Sequence, residues 1–204
     1  MARKKSGKMA LYLIPIGIAV NFVLGQIVQL LHLPLWCDHV GTMVVGALCG
    51  PAYSVITAFI TGLLFSITLP SNLFYMGNYL VGGLLAGLLA KKGWFKKLPT
   101  VILFGLIAGV TIGFCGSLVT VLVYGGYTSS PTGVITGLIV KTFHLGLFAT
   151  NTISEMGVDI IDKIPSAIIT YLVVKFIPNR FLLKLPLGSL YIKNAPAADT
   201  EKNT

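Results

Sequence analysis

Between Met9 and Leu31, and again between Val40 and Ile67, the chain carries no charged side chain. A helix that is apolar all round has no face to offer water, so such runs belong in a bilayer or deep in a core. Met9–Leu31 is 23 residues long, about 34 Å as a helix, which matches the hydrocarbon thickness of a membrane. The rest of the chain agrees, because only 10% of its 204 residues are charged where a soluble domain averages roughly 25%. The expected class is all-α. One polytopic membrane domain is expected over residues 9–180, after a basic stretch at 1–8 and before a basic, then polar and disordered, tail at 181–204.

The positive charges orient the domain. All Lys and Arg except Lys141 and Lys163 lie before residue 9, at 91–97, or from 175 onward. A net charge of +9 placed this way reads as cytoplasmic loops and ends beside anionic lipid headgroups, not as a nucleic-acid surface. Arg3-Lys4-Lys5 before an apolar run imitates a secretory leader. The run is too long for one and no small-x-small cleavage site follows, so an uncleaved first helix is expected.

Gly50-Pro51 decides how often the chain crosses. As a kink it would leave 40–67 as one helix and put the lysines of 91–97 outside. As a break it gives two short helices, about 40–50 and 52–68, and returns those lysines to the cytoplasm. The positive-inside rule favours the break, and so does the missing amide of the proline. A helix over 40–50 reaches only about 16 Å, so it must tilt or pack within the bundle. Further helices are expected at about 74–90, 100–124 and 159–177. Segment 134–151 is read as one re-entrant or interfacial helix on the outer side, since a crossing there would carry the basic tail outside. The sum is six transmembrane helices with both termini cytoplasmic. Gly105, Gly109 and Gly113 form a double small-xxx-small face for close helix approach, and Gly46/Gly50, Gly83/Gly87 and Gly133/Gly137 repeat the spacing.

No G-x-x-x-x-G-K-[ST] phosphate loop, G-x-S-x-G elbow or H-E-x-x-H pair occurs. The chain therefore has no means of using ATP by itself, and neither an enzyme nor a cofactor is expected. The topology instead gathers polar residues at the outer side, where aromatic walls with a few oriented polar groups make a small-molecule pocket. The candidate binding residues are Trp36, Asn72, Tyr75, Asn78, Tyr124, Lys141, His144, Asn151, Glu155, Asp159 and Lys163. Each also has a plainer role. Asp38 is expected to cap the helix that follows it, and Asp159 and Lys163 have the spacing of an ordinary i,i+4 pair. Trp36 and Tyr124 suit an interfacial belt. His32, Cys37, Asp38 and His39, with His144, are metal-ligand types, but their spacing matches no established ligand pattern, so no metal is assigned.

Asp38-His39-Val40-Gly41-Thr42 followed by Ala47-Leu48-Cys49-Gly50-Pro51 resembles the D-x-x-G-T … A-L-x-G-P signature of substrate-binding S components of energy-coupling factor vitamin transporters. Asp162-Lys163-Ile164-Pro165, with Ile177-Pro178 after an apolar span, resembles the last helix of that family. The likeness covers roughly residues 9–180. It implies a six-helix protein of the bacterial plasma membrane that captures a water-soluble vitamin or related micronutrient from outside. It also implies partners: a membrane-embedded coupling protein and two cytoplasmic ATPase subunits. One departure is that helix 1 has Gly17 and Gly25 around Asn21 where the family often carries Ala-x-x-x-Ala for the coupling protein. The alternatives are a cobalt or nickel uptake subunit and a non-transporting scaffold that associates through its glycine faces.

Overall fold

The computed structural model describes residues 2–33, 35–128, 131–143 and 146–192. Every regular element among them is helical: α1 (Ala2–Leu30), α2 (Val40–Cys49), α3 (Pro51–Thr68), α4 (Met76–Lys91), α5 (Leu98–Tyr124), α6 (Pro131–Phe143), α7 (Leu147–Phe176) and the short α8 (Asn179–Leu182). Three stretches are long and apolar enough to cross a membrane, Met9–Leu30, Pro51–Thr68 and Leu98–Tyr124. The fold is that of a membrane protein.

The Gly50-Pro51 break is real in the backbone. Gly50 has φ 93° and ψ −175°, a conformation L side chains avoid, and Pro51 opens α3 at its first position, where its missing amide costs nothing. Helix α2 is only 10 residues long, but nine of them are buried. It packs inside the bundle rather than facing lipid.

Asn21 locks α1 to the two helices that follow. It is fully buried. Its amide nitrogen donates to Thr42 Oγ1 at 2.8 Å and Thr61 Oγ1 at 3.1 Å, and its oxygen accepts from the amides of Gly41 at 2.6 Å and Thr42 at 3.4 Å. Those two amides belong to the first turn of α2, which has no partners within its own helix. This corrects the expectation for Asp38. The residue at the N-cap position is His39, and it makes no side-chain cap bond; α2 is capped from another helix by Asn21.

The most extensive pairing is α5 on α7, and the glycine row makes it. A Cβ on Gly105, Gly109 or Gly113 would lie 2.6–2.7 Å from the Cα of Ile164, Ile160 or Met156 respectively. Other glycines are similarly spent inside the chain: Gly17 against Val45 and Gly41, Gly25 against Phe65, Gly83 against Ser54 and Ala58, and Gly87 against Pro51. Of the spacings noted in the sequence, only Gly137 has open space around it.

Segment 134–151 is not one helix. α6 ends at Phe143, and Leu147 begins α7, a helix of 30 residues that starts well before the expected 159 and passes Pro165 unbroken. Its buried side carries Asn151, Glu155, Asp159, Asp162 and Lys163, so the unassigned stretch 152–158 is helix as well. At the other end the fold runs past the expected boundary at 180. Leu182 and Leu185 enter the main apolar core, the Leu187 amide donates to the Leu48 carbonyl at 2.9 Å, and the Tyr191 hydroxyl donates to the Ala47 carbonyl at 3.0 Å. The tail expected to be disordered from 194 lies outside the described residues.

Candidate binding site

The buried polar residues gather around Lys163, about midway along α7. Its side chain is 1% exposed. The ammonium is bonded to the carboxylate of its neighbour Asp162, and also lies 3.3 Å from Asp159 Oδ1 and 3.6 Å from Asp38 Oδ1. A buried ammonium is tolerated only when paired and hydrogen-bonded. Here three carboxylates surround it.

The same cluster fixes the connection into α2. Asp162 Oδ1 accepts from the backbone amides of Trp36 at 3.2 Å and Cys37 at 2.8 Å, holding Cys37 at φ 49°, where a non-glycine residue needs outside support. Asp38 Oδ1 meets His39 Nδ1 at 2.6 Å. Burial alone would raise the Asp38 carboxyl, but His39 and Lys163 outweigh it and hold it below the usual carboxylate range. Burial pushes the Cys37 thiol up to about 12, with the Asp162 carboxylate adding to the rise.

Aromatic rings form the facing wall. His39 stacks on Tyr79 with centroids 5.2 Å apart and planes 7° apart. Tyr75 and Tyr124 stack at 6.1 Å and 8°, with Phe74 edge-on to Tyr124 at 6.0 Å. The Tyr75 hydroxyl shares a 2.8 Å hydrogen bond with Thr120 Oγ1, which in turn donates to Glu155 Oε1 at 3.2 Å. The Tyr124 hydroxyl donates to the Ser71 carbonyl at 3.3 Å. Between the two walls lies a cavity of about 480 Å³, within the range that holds a small organic molecule.

Eight of the candidate residues read from the sequence line this cavity: Trp36, Asn72, Tyr75, Asn78, Tyr124, Glu155, Asp159 and Lys163. Two do not. Lys141 is exposed on α6, and Asn151 is buried with its amide nitrogen donating to the carbonyls of Gly126 at 3.0 Å and Leu147 at 2.9 Å. Its job is to join the start of α7 to the turn after α5. His144 lies outside the described residues. The lining adds Gln29, Asp38, His39, Tyr79 and Tyr127 to the set. Gln29 was detectable, since it continues the four-residue row Gly17, Asn21, Gly25 that faces inward on α1. Asp38 and His39 were misassigned because a polar pair before a helix looks like a cap or a ligand set.

Of the metal alternative, His144 lies outside the described residues. His32 is exposed, and among the described residues no group of three or more His, Cys, Asp or Glu is placed to hold a metal ion. Comparison with known protein families, with curated proteins and with solved structures finds no match to this chain.

Proposed function

We propose that this chain is a membrane-embedded solute-binding subunit that captures a small water-soluble micronutrient for uptake driven by other subunits. The observation that carries the reading is the cavity of about 480 Å³ with one aromatic wall and one charged wall. It is built from segments distant in sequence and held by buried hydrogen bonds. A belt of interfacial aromatics would not require Asp162 to reach across to the Trp36 and Cys37 amides, or Thr120 to bridge Tyr75 and Glu155.

The likeness of the Asp38–Pro51 and Asp162–Pro165 motifs to S components of energy-coupling factor transporters supports the transport role. It brings with it a membrane-embedded coupling protein and two cytoplasmic ATPases, which would supply the nucleotide site that the sequence does not contain. In this reading α1, α2, α3, α4, α5 and α7 cross the bacterial plasma membrane. α6 lies at the outer surface and both ends face the cytoplasm, so that the cavity opens outward and the lysines of 91–97 face in. The short α2 fits because its neighbours, not lipid, enclose it.

Native mass spectrometry of the full chain purified from its own membranes tests the reading. The expected result is a small molecule retained at one per chain and lost when Tyr75 and Tyr124 are both changed to Leu, with the helical content unchanged. A chain that retains nothing and takes up no solute from a vitamin mixture is not a binding subunit.

A further inference from the structure

The cavity has a sign. Its lining brings three carboxylates, Asp38, Glu155 and Asp159, against the Lys163 ammonium and the His39 imidazole, and both of these basic groups face Asp38. The ammonium has three N–H donors and already faces three carboxylates, with Asp162 the nearest. It has nothing left for an anionic ligand unless an internal pair is broken. Glu155 is in the reverse position. It is buried, and among the described residues no salt bridge reaches it and its hydrogen-bond partner is the Thr120 hydroxyl. A buried carboxylate without a counter-charge is costly. The third observation is independent of the acids. Four tyrosines and Trp36 line the same space, and the faces of such rings attract cations. A fourth is that His39 Nε2 is buried in this wall with no hydrogen-bond partner among the described residues.

Building on the binding-subunit reading above, we infer that the solute is an organic cation, a positively charged nitrogen on or beside a flat ring, with its charge at Glu155 and its ring against the tyrosine wall. Lys163 holds Asp38, Asp159 and Asp162 in place and does not anchor the solute. Glu155 supplies the counter-charge. The tyrosines give both a π surface for the cation and a flat contact for the ring.

Three probes of the same size and different charge test this on the detergent-purified full chain by isothermal titration: 2-phenylethylamine, 2-phenylethanol and phenylacetate. The amine is expected to bind at least about tenfold more tightly than the alcohol, the scale of one charge-assisted hydrogen bond, and phenylacetate more weakly than either. Glu155→Gln is expected to abolish the preference for the amine while changing the alcohol's affinity less than about threefold, and Glu155→Asp to keep it. Equal binding of amine and alcohol, in wild type and Glu155→Gln alike, means that Glu155 carries its own proton and overturns the inference. Tightest binding of phenylacetate also overturns it, but leaves the binding-subunit reading standing. No saturable binding of any of the three counts against both.

Discussion

Met156, Ile160 and Ile164 run down one side of α7, and Glu155, Asp159 and Lys163 run down the next, one residue earlier and about 100° around the axis. The first row lies against Gly105, Gly109 and Gly113 so closely that no Cβ fits between the two backbones. The second lines the cavity. Identical spacing serves opposite ends: one row is read by shape alone, the other by charge. Because the rows are on one rigid helix, the glycine contact sets the rotation of α7 and so decides which side chains meet the cavity. Neither row could be moved without the other.

The largest effect is expected from emptying the charged row of its cation. Lys163→Met would leave Asp159 and Asp162 buried without their cation and Asp38 with His39 alone, and breaking a buried pair on one side typically costs about 3–5 kcal/mol. Thermal unfolding in detergent should show the loss, and a cost below about 1 kcal/mol would mean the cluster does not hold the fold. Glu155→Gln is the sharper half of the comparison. It removes a charge that no lysine pairs with, so unfolding should be unchanged or later even as cation binding is lost.

Next comes the glycine row. Gly109→Ala places a methyl group 2.6 Å from the Ile160 Cα, which backbone cannot yield without the helices parting. A cost of about 1–3 kcal/mol is expected, together with weaker solute binding, because the neighbouring row turns with α7. Gly137→Ala meets nothing within 4 Å and should be neutral or gain up to about 1 kcal/mol from helix propensity. Equal effects of the two substitutions would break the assignment of the seam.

A smaller effect is expected from pH. The Asp38 carboxyl is held below its usual range in the folded chain, so its contribution to stability is complete above the unfolded value of about 3.9 and drains away as pH falls below it. The melting temperature should fall as pH drops below about 4, and Asp38→Asn should remove that part of the fall; an unchanged acid limb in the variant would assign it to another group.

Much of this was legible in the sequence where the physics is local or one-dimensional. Runs without charge, the Gly50-Pro51 break and the four-residue glycine spacing each read directly as helices, a turn and a seam. The cavity wall was reachable for Trp36, Tyr75 and Glu155 because charge placement sorted the chain by side. What stayed hidden depended on pairing across the bundle. Asp38 sits where a cap would sit, and only the fold reveals that Asn21 caps α2 and that Asp38 turns to Lys163 and His39. The start of α7 was missed because the polar positions at Asn151, Glu155 and Asp159 break the apolar run, and only the helix shows that they share one buried side. Lys141 and Asn151 were drawn into the site because the expected topology put them on the outer side. Lys141 is exposed on α6, and Asn151 is occupied by the Gly126 and Leu147 carbonyls.

The central claim is that the glycine seam aims Glu155, Asp159 and Lys163 at a solute. An experimental structure of the full chain with its retained small molecule tests it most directly. The account predicts density for the molecule between the Tyr75–Tyr124 wall and the Glu155 carboxylate, with Lys163 still enclosed by Asp38, Asp159 and Asp162. Density at the opposite end, in the groove beside Lys96, Tyr171 and Lys175, or a solute bonded to a Lys163 freed from its carboxylates, would contradict it.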